Sequence, residues 1–332
     1  MTLGEIFKNG LIFQRGKPVR VFGTSDTGAV ITFAGTTQTV PAGSFTAEFP
    51  AMDYGGPHTL TAVGDGQTCT VCDIFIGEVI LFSGQSNIQF RMGEGAVDPE
   101  PPMHDDMLRI FVSERMEPEP LTPADGWVKA DPENIGKWSA VAYQTGRALR
   151  QHGVPAVGAV VCAQGASVIQ SWIDDRKITG TALDLPPEVR HLDARSPSYE
   201  KWNGNGVLFR FMLERLFPFS FGKVVWYQGE SNASPAEGAA YRQLLAVMIA
   251  NWRERFRDPS LQFVIVQIAD YIHAPDAAGW AAVQEAQLRA AAEIPGTAAV
   301  ISRDVCENDM IHPVTKWKLA ARIADNIEGG LR

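Results

Sequence analysis

Four short segments of the chain carry residues that could act together on a carbonyl carbon. SGQSN at 83–87 presents Ser86 between Gln85 and Asn87, and CAQGAS at 162–167 contains Gly165. QGESN at 228–232 ends on Asn232, and NDMIHP at 308–313 sets Asp309 three residues before His312. A serine hydroxyl is a weak nucleophile; it needs a base within hydrogen-bond reach, and that base needs a third group to orient it. An Asp-x-x-His step supplies both, because residues three apart in a turn lie on one side. Asp309 can then hold one ring nitrogen of His312 while the other faces Ser86. The donors available for a developing oxyanion are the backbone N–H groups of Ser86 and Gly165 and the side-chain amide of Asn232. Each segment alone reads as an ordinary turn or local hydrogen bond. The four together, in order, do not.

What positions them is a series of predicted strands, since ligands of an open parallel sheet bind at the carboxyl ends of its strands. EVILF at 78 precedes the Ser86 segment, VGAVV at 157 precedes Gly165, and KVVWY at 223 precedes QGESN. LQFVIVQI at 261 and AAVIS at 298 complete the set. Helices are predicted near 139–152, 236–257 and 280–293, and a closing helix over TKWKLAARIADNI takes Pro313 into its first turn. The clearest helix carries Tyr241, Leu244, Leu245, Met248, Ile249, Trp252 and Phe256 at steps of three and four, a core stripe. This alternation defines residues 73–332 as an α/β unit with helices covering a parallel sheet. Residues 1–72 differ: short alternating runs broken by Gly, Asp and Pro predict a small antiparallel β-sandwich. The Pro-, Asp- and Glu-rich stretch 91–137 and the irregular 174–206 are expected to be long surface loops over the site.

Composition limits the rest. Of 332 residues, 45% are hydrophobic and 20% charged, ordinary for a globular protein and too apolar for long disorder. A net charge of −9 disfavours nucleic acid and anionic membrane surfaces as partners. The start MTLGEIFKNG lacks the basic and apolar regions of a signal peptide, so a cytoplasmic location is expected. Four cysteines do not make a disulfide framework, and the lone pair Cys69 and Cys72 lacks the second ligand pair a zinc site needs. No spacing suggests a metal, and no phosphate-cradling glycine loop calls for a nucleotide, so no cofactor is expected. The G-x-S-x-G elbow of α/β-hydrolases is absent, position 88 being Ile.

The blocks GEVILFSGQSN, WYQGESNA and D-x-x-H-P resemble the signatures of the SGNH hydrolase superfamily, specifically its sialate O-acetylesterase-like carbohydrate esterases. GLIFQRGKPVRVFGTSDTGAVITFAG is similar to the sandwich that precedes their catalytic domain, and KWSAVAYQTGRALRQHGVPAVGAV to their next helix and strand. The resemblance implies an SGNH (flavodoxin-like) three-layer α/β/α fold behind a small β-sandwich. It implies Ser86 as nucleophile, His312 as base and Asp309 as its partner, with Asp304 and Glu307 as alternatives, and Ser86, Gly165 and Asn232 as oxyanion hole. The implied reaction removes an acetyl group from a sugar hydroxyl through an acetyl-enzyme. One block departs: relatives often read Trp-Gly-Gly-Thr-Pro-Ile-Glu-Ala-Trp where this chain has Gln164 to Trp172, so the glycine persists while the sugar-facing lining differs.

Candidate substrate contacts are Trp172 and Trp202, whose rings could stack on a sugar, and Gln85, Gln228 and Glu230 within the motif loops. The expected partner is an acetylated sugar or oligosaccharide, with sialic acids leading and xylan or mannan fragments as the alternative. A non-catalytic carbohydrate-binding protein is the reading from another class. It leaves Ser86, His312 and Asp309 without a purpose. The sequence leaves the oligomeric state open, a homodimer being one option.

Overall fold

The computed structural model describes residues 1–117, 120–191 and 196–329. Its backbone is a mixed α/β fold organised around one long strand. The N-terminal region contains β1 (Thr2–Leu3), β2 (Ile12–Gln14), β3 (Val19–Ser25), β4 (Ala29–Phe33), β5 (Thr36–Val40), β6 (Gly43–Phe49) and β7 (Gly55–Gly64). Strand β8 (Gln67–Gly84) is 18 residues long. Its first half pairs antiparallel with β7, and its second half lies at the centre of a parallel sheet.

The expected division at 72/73 therefore falls inside an unbroken strand. The change of rhythm read in the sequence marks a bend. Asp73 adopts φ +59°, a left-handed conformation that Asp tolerates better than most residues. The fully buried Arg109 pins it, donating from Nη1 to the carbonyls of Asp73 (2.8 Å) and Gly10 (2.7 Å). Strands β1, β3 and β6 form a separate three-stranded sheet in the order β1-β3-β6. Its Phe49 meets Phe33 of β4, and Phe33 meets Phe13 of β2. A single hydrophobic core runs from these rings into the central sheet, Phe13 stacking on Phe219 at 5.7 Å.

The central sheet adds β9 (Asp105–Val112), β10 (Val128–Ala130), β11 (Val157–Ala163), β12 (Lys223–Tyr227), β13 (Gln262–Val266) and β14 (Thr297–Val300), in the order β10-β9-β11-β8-β12-β13-β14. All neighbours from β9 to β14 are parallel, and only β10 runs antiparallel, at the edge. Strands β11 and β12 are buried at every position, as a sheet covered on both faces requires. The expectation of a loop over 91–137 is corrected, because β9 lies within it. DDMLRIFV follows a Pro- and Asp-rich run that masks the strand, while its Leu108, Ile110 and Phe111 are buried. The irregular reading of 174–206 fits the short 3-10 turns observed there, residues 192–195 lying outside the described set.

Among the described residues the helices are α1 (Ser86–Gln89), α2 (Ala140–Gln151), α3 (Val207–Phe211), α4 (Pro235–Arg255), α5 (Ala277–Glu293) and α6 (Trp317–Glu328). Side-chain caps start three of them: Ser139 accepts from the Ala142 N–H, Ser234 from Glu237 and Asp276 from Gly279. α2 packs on α6, and α4 on α5. Adjacent residues of β12 show the two faces: Trp226 meets Trp252 of α4 at 5.6 Å, while the Tyr227 ring lies under the ammonium of Lys316, the residue before α6. The closing helix starts at Trp317, so Pro313 lies ahead of it in the loop instead of in its first turn.

The chain fills one side of β8 with β9 and β11, then crosses to β12 on the other. The carboxyl end of β8, between β11 and β12, is thus the topological switch point where an open α/β sheet forms its crevice.

Candidate active site

Ser86 sits at that point, immediately beyond β8 on the first turn of α1. The approach depends on Gly84, whose φ is +139° and where a Cβ would collide with the Tyr227 carbonyl. His312 comes from the loop between β14 and α6, and its Nε2 lies 2.8 Å from the Ser86 Oγ. The two residues, 226 positions apart, are both half-buried. The imidazole is stacked on Phe90, centroids 6.2 Å apart at 25°. Burial, and then the charge of Lys316, hold its pKa below the usual imidazole value, with Glu94 opposing. A neutral ring is the form that can take a proton from a hydroxyl.

Gly165 lies beside this pair, a Cβ placed on it coming 3.7 Å from that of Ser86. The backbone N–H groups of Ser86 and Gly165 have no acceptor among the described residues. They are free to donate to a developing oxyanion.

The structure does not bring Asp309 to His312. Asp309 is exposed, and no carboxylate of the described residues comes within 4.0 Å of either ring nitrogen. Neither alternative acid supplies the contact: Asp304 is held by Arg322 at 2.6 and 2.7 Å, and Glu307 accepts from the backbone N–H (3.1 Å) and hydroxyl of Thr315. The spacing of three residues was satisfied while the loop turned Asp309 outward.

Asn232 is also corrected. It is fully buried, and its amide donates to Gln170 Oε1 and Glu237 Oε1, both at 2.9 Å. Its Oδ1 accepts from Ile169 N at 2.9 Å and Gln228 Nε2 at 2.8 Å. With both hydrogens committed, it ties the loops after β11 and β12 to α4 and has no donor left for an oxyanion.

The proposed sugar contacts are likewise interior. Trp172 is 0% exposed, donates to Ser167 Oγ and packs edge-on against Trp226. Trp202 is 1% exposed, beneath Lys201 and beside Tyr199. Gln85 Oε1 accepts from Gln228 Nε2 (3.1 Å) and from the N–H groups of Gly229 and Ser231 (3.3 Å each). Gln228 also donates to the Ser167 carbonyl at 2.9 Å. These two glutamines bind the three strand-end loops together. Glu230 is buried, its carboxyl raised by that burial, and accepts from Asn87 Nδ2 at 2.6 Å.

Phe90 and Lys316 had no sequence signal, and Asn87 was read only as a flank of Ser86. Phe90 supports the imidazole; Asn87 donates a second bond, of 3.0 Å, to the Ile311 carbonyl; and Lys316, wholly buried, reaches Asn87 Oδ1 at 2.5 Å. Nothing in a lysine one residue ahead of an amphipathic helix distinguishes it from a solvated one. A groove of about 800 Å³ lies elsewhere, between the β1–β3–β6 sheet and segments at 214–218 and 254–257. Neither Ser86 nor His312 lines it. Among the described residues no cluster of His, Cys, Asp and Glu is placed to hold a metal ion, and no helix is long and apolar enough to cross a membrane.

A hydroxyl–imidazole pair at the switch point of an open parallel sheet is the arrangement expected of an SGNH-like carbohydrate esterase, and comparison with known proteins agrees with that class. The chain belongs to the sialic acid-specific acetylesterase family of carbohydrate esterases, whose family model matches residues 76–327. It is 25% identical to human sialate O-acetylesterase over 306 residues, 82% of this chain and 57% of the human protein. With the rat sialate O-acetylesterase the identity is 24%, over 95% of this chain and 70% of that protein. This chain thus spans little more than half the length of the human relative. Among solved structures it resembles a carbohydrate acetylesterase from Xanthomonas citri, with a TM-score of 0.82 and 30% identity, covering 99% of this chain and 75% of that one.

Proposed function

We propose that the protein is a carbohydrate O-acetylesterase in which Ser86 and His312 are the reacting pair. The observation that carries this reading is the 2.8 Å contact between Ser86 Oγ and His312 Nε2. In the proposed reaction Oγ attacks the acetyl carbonyl as its proton passes to Nε2, and the N–H groups of Ser86 and Gly165 face the oxyanion. Collapse of the tetrahedral species expels the sugar oxygen, which takes the proton from His312. Water then attacks the acetyl-serine, again giving its proton to His312, and acetate leaves with the serine hydroxyl restored.

Family membership and the sialate O-acetylesterase relatives support O-acetylated sialic acids as the leading substrate class. The half-buried setting of Ser86 suits an acetyl group carried on a bulky sugar, because only the acyl end need reach the hydroxyl. The test is Ser86→Ala assayed on an aryl acetate and on O-acetylated sialic acid. Turnover is expected to vanish apart from a residual ~10³–10⁴-fold rate over water, with folding intact. A variant that hydrolyses as well as wild type removes Ser86 from the reaction.

A further inference from the structure

No carboxylate of the described residues reaches the His312 ring, and the contacts around it lead to a buried cation. We propose that Lys316 is a positioning residue that, through Asn87 and Phe90, fixes the peptide and ring face holding His312 against Ser86. This rests on the reading of Ser86 and His312 as the reacting pair.

The link is continuous. Lys316 is 0% exposed, and its Nζ meets Asn87 Oδ1. Asn87 Nδ2 in turn donates to Glu230 Oε1 (2.6 Å) and to the carbonyl of Ile311 (3.0 Å), the residue joined to His312. A carboxamide turned the other way would set its oxygen against a carboxylate and a carbonyl, and its N–H groups against an ammonium. The cation on one side and the anion on the other therefore select the orientation that donates to Ile311. A second connection runs through Phe90: Nζ lies 5.6 Å from the centroid of the ring that also stacks on His312. No carboxylate of the described residues is within 4.0 Å of this ammonium. A buried cation without a direct ion pair is costly to hold, and this one is spent on Asn87.

Its charge has a further effect. Burial pushes the Lys316 pKa down to about 8, with Cys306, Glu230 and Glu307 opposing. Glu94 and Lys316 are the charged groups acting on His312, in opposite senses. Removing the cation leaves burial and Glu94, so His312 protonates more readily.

The experiment compares Lys316→Met and Lys316→Gln with wild type on 4-nitrophenyl acetate, measuring kcat, KM and the pH profile of kcat/KM. In Lys316→Met, kcat is expected to fall roughly 10²-fold, the scale of a displacement near 1 Å, with KM within about twofold, and the acid limb to move to higher pH. Lys316→Gln, which keeps a donor without the charge, should recover part of kcat while its acid limb stays displaced. Unchanged kcat and acid limb in both variants overturn the proposal. If Lys316→Met does not fold, the double variant Lys316→Met/Glu230→Gln removes both charges. Low kcat at native melting temperature then supports the role, and wild-type kcat overturns it. Ser86→Ala is assayed in parallel. If it stays active, the reading of the site itself fails; if it is dead while Lys316→Met is unaffected, only the role of Lys316 falls.

Discussion

Asn87 Nδ2 lies 3.0 Å from the Ile311 carbonyl, so the residue that follows the serine holds the residue that precedes the histidine. Two loops far apart in the chain are thereby latched beside the Ser86–His312 contact. The hydroxyl–imidazole contact does not depend on those two side chains finding each other unaided.

Asp309→Asn should be nearly silent. The side chain is exposed and makes no bond to His312, so kcat is expected within about twofold of wild type and stability within ±0.5 kcal/mol, roughly the range for surface changes away from special features. Loss of kcat near the ~10⁴-fold seen when a triad acid is neutralised would show that the loop folds inward during turnover.

Asn232→Ala tests a stability role against an oxyanion role. Its amide makes four buried bonds, and the deletion orphans groups of Gln170, Glu237 and Ile169 while Gln228 keeps its bonds to Gln85 and Ser167. Urea unfolding is expected to show a loss of at least about 1–3 kcal/mol. The kcat of the folded enzyme should fall by less than the ~10²–10³ of a lost oxyanion donor. A full drop with unchanged unfolding would reinstate Asn232 at the reacting carbonyl.

Trp172→Ala separates core from sugar platform. For a ring 0% exposed and packed on Trp226, the expected result is about 3–5 kcal/mol of lost stability. KM for acetylated sugar measured below the melting transition should stay near wild type. A raised KM with intact stability would place the ring in the cleft.

The pH profile follows from His312. Burial and the charge of Lys316 hold its pKa below the ordinary imidazole value of about 6.5, so the acid limb of kcat/KM should fall at lower pH than for a free imidazole. The linked stability has the same sign: it is fully present above the unfolded value and lost as pH falls through the folded one, where burial resists the proton that the unfolded chain accepts. An acid limb at or above 6.5 would contradict this placement.

Much of this arrangement was readable beforehand. Continuous apolar runs such as KVVWY can only be strands buried on both faces, and the residues beyond them must lie along one edge. That logic set Ser86, Gly165 and His312 at one edge, where they lie side by side. It could not say which way a side chain turns once at the edge, and so placed Asn232 and Asp309 toward the chemistry when one faces α4 and the other solvent. Tryptophans in irregular segments read as available, yet 3-10 turns bury Trp172 and Trp202 as fully as helices would. Lys316 was illegible because burial of a lysine is decided by tertiary neighbours, here Phe90, Tyr227 and Asn87.

Strand β8 begins against β7 and ends at Gly84, immediately before the Gln85–Ser86 step, with the turn of its backbone at Asp73 braced by Arg109. Cutting the polypeptide at position 72 would therefore sever the strand that leads to Ser86. Engineers wishing to graft this site should transplant the N-terminal sheets with it, and denaturation should register both regions in one cooperative step.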